Sequence, residues 1–162
     1  MKLIGIIHED FVNYKKPSMV LEFPYCNFKC DRECRLQVCQ NSELAYAPKV
    51  EVTPQYIVKS YLSNPITEAL VLQGLEPLDG RTYRDVYQIV SLLRKEGCYD
   101  DIVIYTGYTE DEVELQTRYL RAYGKKNIII KYGRFKPGNK PHYDETLGVY
   151  LASDNQYGKK IC

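Results

Sequence analysis

Apolar positions along the chain fall into short blocks with helical periodicities between them. Residues 3–7 (LIGII) and Ser18–Phe23 (SMVLEF) read as strands. Thr53 followed by Pro54 offers an N-cap and a first-turn proline, predicting a helix through Tyr56, Ile57, Ser60 and Tyr61 that stops near Asn64-Pro65. Residues 69–72 (ALVL) form a continuous apolar run of the buried-strand kind. Over 82–95, Val86, Ile89, Val90 and Leu93 recur at helical spacing, and Gly97 ends the pattern. Residues 102–105 (IVIY) predict another buried strand. A helix follows over 109–120, capped by Thr109 with Glu112 in the capping-box position. Residues 127–130 (NIII) predict a further buried strand. From Tyr132 onward Gly, Pro, Lys and Asn dominate, and the tail reads as loop with one short strand.

Helix and strand thus alternate through the middle of the chain. Such alternation implies right-handed βαβ units and a mostly parallel sheet. With 162 residues there is room for one domain, 1–162, and not for an eight-unit β/α barrel of about 250 residues. The expected architecture is α/β: a partial (β/α) barrel or an open, curved sheet of five or six mostly parallel strands. Ligands of such sheets bind beyond the carboxyl ends of the strands. Four predicted strands deliver notable residues to that rim, and the loop after Ser18–Phe23 carries most of the cysteines.

Lys and Arg number 22 against 21 Asp and Glu, a net charge of +1 that gives no basis for a nucleic-acid or membrane surface. No run approaches a membrane span, and the N-terminus lacks a small-residue cleavage site, so the expected location is the cytoplasm. In a reducing compartment, clustered thiols bind metal or perform redox chemistry. Cys26, Cys30, Cys34 and Cys39 lie on one loop with gaps of three, three and four residues. Zinc modules instead separate two close couples by a longer interval. One loop wrapping the corners of an iron–sulfur cubane suits the spacing, and a four-cysteine zinc site is the alternative. Cys98 and Cys162 are expected to be bystanders, and His8 and His142 have no assigned role.

An ordered set of motifs resembles the activating proteins of anaerobic ribonucleoside-triphosphate reductases, a small branch of the radical S-adenosylmethionine enzymes with a single [4Fe–4S] cluster. The set comprises Asp10-Phe11-Val12-Asn13, FPYCNFKC from Phe23 to Cys30, and Cys39-Gln40-Asn41. It continues with QGLEPL from Gln73, IYTGYT from Ile104, Tyr132-Gly133-Arg134-Phe135, and Ala152-Ser153-Asp154-Asn155-Gln156. The resemblance implies a radical SAM fold and a cluster held by three thiolates, with S-adenosylmethionine on the fourth iron. It also implies a glycyl radical raised on the reductase, an electron donor such as flavodoxin, and no catalytic side chain beyond cluster and cofactor. The cluster loop, 26–41, is expected to supply Cys26, Cys30 and Cys39. Gly74, Leu75, Glu76 and Pro77 would line the methionine side of the cofactor, and Thr106, Gly107, Ser153 and Asn155 the nucleoside side.

The chain departs from that family's CxxxCxxC spacing. Cys34 follows Cys30 after three residues and Cys39 after eight. Cys39 is favoured because Asn41 follows it, which makes DRECRLQV an insertion. Cys34 stays open as an alternative third ligand, and a solvated surface acid is the plain reading of Glu76.

Overall fold

The structure, a computed structural model, describes residues 1–162. The first apolar run divides in two at Ile4, giving β1 (Lys2–Leu3) and β2 (Gly5–Asp10). The chain then turns back into β3 (Ser18–Phe23), antiparallel to β2, and continues through the cysteine loop with its short helix α1 (Lys29–Cys34). Next come β4 (Val50–Glu51), paired with β1, and α2 (Pro54–Leu62), where Thr53 Oγ1 accepts the Tyr56 amide at 3.1 Å. Two βα units follow: β5 (Ala69–Gly74) with α3 (Tyr83–Lys95), and β6 (Asp101–Tyr105) with α4 (Glu114–Gly124). The chain ends with β7 (Ile128–Tyr132), a hairpin of β8 (His142–Asp144) and β9 (Val149–Leu151), and β10 (Tyr157–Lys160).

Six strands form the main sheet in the order β10-β7-β6-β5-β3-β2. The four inner strands are parallel, and both edge strands run antiparallel to their neighbours. The sheet is therefore open, with free edges at β2 and β10. The parallel strands are buried on both faces, which is why they read as unbroken apolar runs.

The two faces are covered differently. Met19, Leu21, Leu70, Ile104 and Ile130 point to the side where Ile57 of α2, Ile89 of α3 and Leu120 of α4 pack. Val20, Val71, Val103 and Ile129 alternate to the opposite face, where they meet Tyr14, Leu147 and Leu151. Helices thus occupy one face, while the 11–17 segment and the β8–β9 hairpin occupy the other. No helix is long and apolar enough to cross a membrane.

Several local expectations are revised. The tail holds three strands instead of one. The helical pattern read from 82 starts at Tyr83, and the Thr82 hydroxyl donates back to the carbonyls of Glu76 and Pro77, bracing the turn after β5. Before α4 comes a 3-10 turn at Asp111–Val113, and Glu112 accepts the Thr109 amide and hydroxyl while also pairing with Arg134.

Candidate functional site

The carboxyl ends of β3, β5, β6 and β7 frame a cleft of about 370 Å³. Cys26, Cys30 and Cys39 line it, and Cys34 does not. Asp31 accounts for that selection. Its Oδ1 accepts the backbone amides of Val38 and Cys39, each at 2.8 Å. The insertion therefore folds back on the start of α1 and returns Cys39 to the neighbourhood of Cys30. Arg35, in the left-handed region at φ 53°, ends α1 and begins that return.

The loop is fastened at both ends. Asn41 Nδ2 donates to the Gly74 carbonyl at 3.1 Å, joining the end of the cysteine segment to the turn after β5. Gly74 has φ 93°, and a Cβ there would sit 2.7 Å from the Phe23 amide nitrogen, so only glycine fits. On the other side Lys29 and Arg134 both reach Glu112, and Arg134 also meets Glu33 at 3.1 Å. Burial works to raise the Glu112 carboxyl, but hydrogen bonds from Arg134 and Lys29 prevail and hold it down at about 2.

The thiols are half-buried. Burial pushes Cys26 up to about 11, and burial with the neighbouring Cys39 thiol and Asp31 pushes Cys30 up to about 12. No three Cys, His, Asp or Glu side chains converge on one point as a single metal ion would require. A cubane makes no such demand, because each thiolate takes a different iron. Cys26, Cys30 and Cys39 are the cysteines placed to hold such a cluster from the cleft.

That donor set has a counterpart in sequence comparison. The profile of the 4Fe-4S single cluster domain family matches residues 18–155. The chain belongs to this family. It is an iron–sulfur protein, and the match begins at β3 and spans the cysteine loop and all four parallel strands. No curated protein and no solved structure matches the chain.

Around the 4Fe-4S domain's cysteines, the other expected residues divide. Gly74, Leu75, Glu76, Thr106 and Gly107 line the cleft. Pro77, Ser153 and Asn155 do not. Ser153 is fully buried, and its Oγ accepts the Lys136 amide at 3.2 Å. Asn155 donates to the Arg134 carbonyl at 2.9 Å. Both shape the 133–136 turn from behind, while neighbouring Gln156 reaches the cleft. Glu76 is no surface acid: it is 2% exposed. Its two oxygens accept the amides of Gly107 at 2.9 Å and Leu78 at 3.0 Å, tying the β5 and β6 turns together. Burial raises its pKa to about 7 against those hydrogen bonds.

Sequence reading gave no role to Glu22, Tyr105 and Lys131, which also line the cleft. Lys131 had a visible signal, a charge closing the apolar run NIII. Glu22 had a weaker one, an acid inside SMVLEF.

Proposed function

We propose that this 4Fe-4S domain is a radical S-adenosylmethionine activase that raises a glycyl radical on an anaerobic ribonucleotide reductase. The observation that carries the reading is the set of three cleft-facing thiols, Cys26, Cys30 and Cys39, beside the 74–76 turn. When bound, the cluster supplies an electron to the sulfonium of S-adenosylmethionine, and that cleavage is the source of the hydrogen-abstracting radical.

The chain's own residues have supporting tasks. Cys26, Cys30 and Cys39 hold three irons. The segment at Gly74 and Leu75 lies along the cleft wall, suited to the amino end of the cofactor. Thr106 and Gly107 line the neighbouring strand end, where an unbranched backbone permits close approach by the nucleoside. Phe11 and Val12, 65% and 77% exposed, precede cleft-lining Asn13 and suit contact with a protein substrate. An open rim favours such a substrate over a small enclosed one. Flavodoxin or a similar one-electron donor would complete the system, which we place in the cytoplasm.

The test is electron paramagnetic resonance of anaerobically reconstituted, reduced protein with and without S-adenosylmethionine. A [4Fe–4S] signal that changes on adding the cofactor, with 5′-deoxyadenosine released, is expected. A cluster signal indifferent to the cofactor would overturn the activase reading and leave an iron–sulfur protein of other function.

A further inference from the structure

Eight residues separate Cys30 from Cys39, and the first of them continue α1. Each side of that short helix has its own task. Lys29 and Glu33, one turn apart and 3.8 Å from each other, face the ion pairs at Glu112 and Arg134. Cys30 faces the cleft. Asp31 faces the returning segment, where its Oδ1 is taken up by the amides of Val38 and Cys39. Arg32 follows Cys30 by two residues, a rotation of about 200° in a helix of 3.6 residues per turn, so it points to the side opposite the cleft.

Arg35 and Leu36 close the same turn, both donating their amides to the Asp31 carbonyl, Leu36 at 3.2 Å. Arg32 and Arg35 are exposed, and neither forms an ion pair. Leu36 is 69% exposed. The acids of α1 cannot compensate them, because Asp31 is held by amides and Glu33 by Lys29 and Arg134. Two free guanidinium groups thus stand beside an apolar side chain on the outside of the cysteine loop, in a chain whose net charge is only +1. Arginine beside an apolar side chain is the composition of an interface centre. None of the three lines the cleft, so a partner seated on them leaves the cleft free. They are one helix thickness, about 10 Å, from the Cys30 side. Electron transfer through protein slows steeply with distance, so a carrier has to dock that close to a cluster ligand.

We propose that the outer side of α1, formed by Arg32, Arg35 and Leu36, is the docking surface for an acidic one-electron carrier protein, whose carboxylates meet the two guanidinium groups. The docked, reduced carrier is oxidised by one electron, and the [4Fe–4S] core is reduced from 2+ to 1+. No bond forms or breaks, and no proton moves. The inference deepens the donor part of the proposed function. It rests on the cluster and not on S-adenosylmethionine.

The experiment uses the full reconstituted chain, without oxygen and without S-adenosylmethionine. The proteins are wild type, Arg32→Glu/Arg35→Glu and Arg32→Lys/Arg35→Lys. Stopped-flow absorbance follows cluster reduction by two acidic carriers, reduced flavodoxin and reduced [2Fe–2S] ferredoxin. Photoreduced deazaflavin, a small donor that needs no docking surface, serves as reference. Each carrier rate is divided by the deazaflavin rate of the same protein, so a variant that holds less cluster is still readable. At low salt this ratio should fall about tenfold or more on charge reversal for at least one carrier, and stay within about twofold for the lysine pair. Added salt should lower the wild-type ratio and leave the reversed variant nearly unchanged. Equal ratios in wild type and the charge-reversed protein would overturn the inference, as would failure of both carriers to reduce the wild-type cluster. The activase reading is judged separately: a cluster signal indifferent to S-adenosylmethionine sinks it and leaves these rates standing.

Discussion

Asp31 Oδ1 accepts two backbone amides at once, those of Val38 and Cys39. A carboxylate accepting amide hydrogens makes strong, charge-assisted bonds. These two hold the insertion against α1, a helix of six residues with no buried side chain and little stability of its own. The position of Cys39 thus depends on a residue that is not itself a ligand. Asp31→Ala leaves every thiol in place but frees the 35–39 segment. Reconstituted Asp31→Ala is expected to hold less than half the wild-type iron and sulfide, with Cys34→Ala near wild type and Cys39→Ala lowest. Iron and acid-labile sulfide assays on the three variants check this order. Equal loss in Cys34→Ala and Cys39→Ala would mean that both thiols serve the cluster.

Between elements, Glu76 is the strut that joins the turn after β5 to the turn after β6. Burial raises its pKa from the ordinary 4.5 to about 7. The folded state therefore keeps the proton across a range where the unfolded chain has released it. This contribution is complete below pH 4.5 and is lost as pH rises through 7, and it amounts to roughly 3 kcal/mol. Glu76→Gln cannot titrate, so the stability advantage of wild type over this variant should shrink between pH 5 and pH 7.5. Urea unfolding of both proteins at the two pH values measures it, and a constant difference would show that Glu76 does not titrate in that range. The elements that this strut connects were legible in the sequence. ALVL and IVIY announce parallel strands because such strands are apolar on both faces. Of the last three strands only one was expected, without a position. β10 is mostly exposed and β8 and β9 have three residues each, so neither periodicity nor burial marks them. Their pairing is fixed by distant groups such as Asp144, which accepts the amides of Leu147 and Gly158, both at 2.8 Å. The candidate site divides along the same line. Thiols and turn residues declare themselves by type and spacing. Glu22 and Lys131 acquire meaning only when the register brings their strands together.

At the scale of the whole molecule, the sheet has helices on one face and its own tail on the other. Leu147 is fully buried among Val20, Val71 and Ile129, at the point where the hairpin seals the face beneath the cleft. Lys15 donates its amide to the Leu147 carbonyl at 2.9 Å, so the 11–17 segment and the hairpin close that face together. The cleft exists because this cover stops one row short of the rim. If the cover is a plug separate from the cysteine loop, weakening it lowers global stability without disturbing the thiols. Leu147→Ala removes a buried side chain and should cost about 2–5 kcal/mol, the usual range for such a truncation. Denaturant unfolding of the reconstituted protein checks the loss, and its iron content below the transition should equal that of wild type. Cluster loss in parallel with destabilisation would instead mean that hairpin, sheet and cysteine loop open as one cooperative unit. Even a variant unfolding at half the wild-type urea midpoint distinguishes the two, because iron is counted where the protein is still folded.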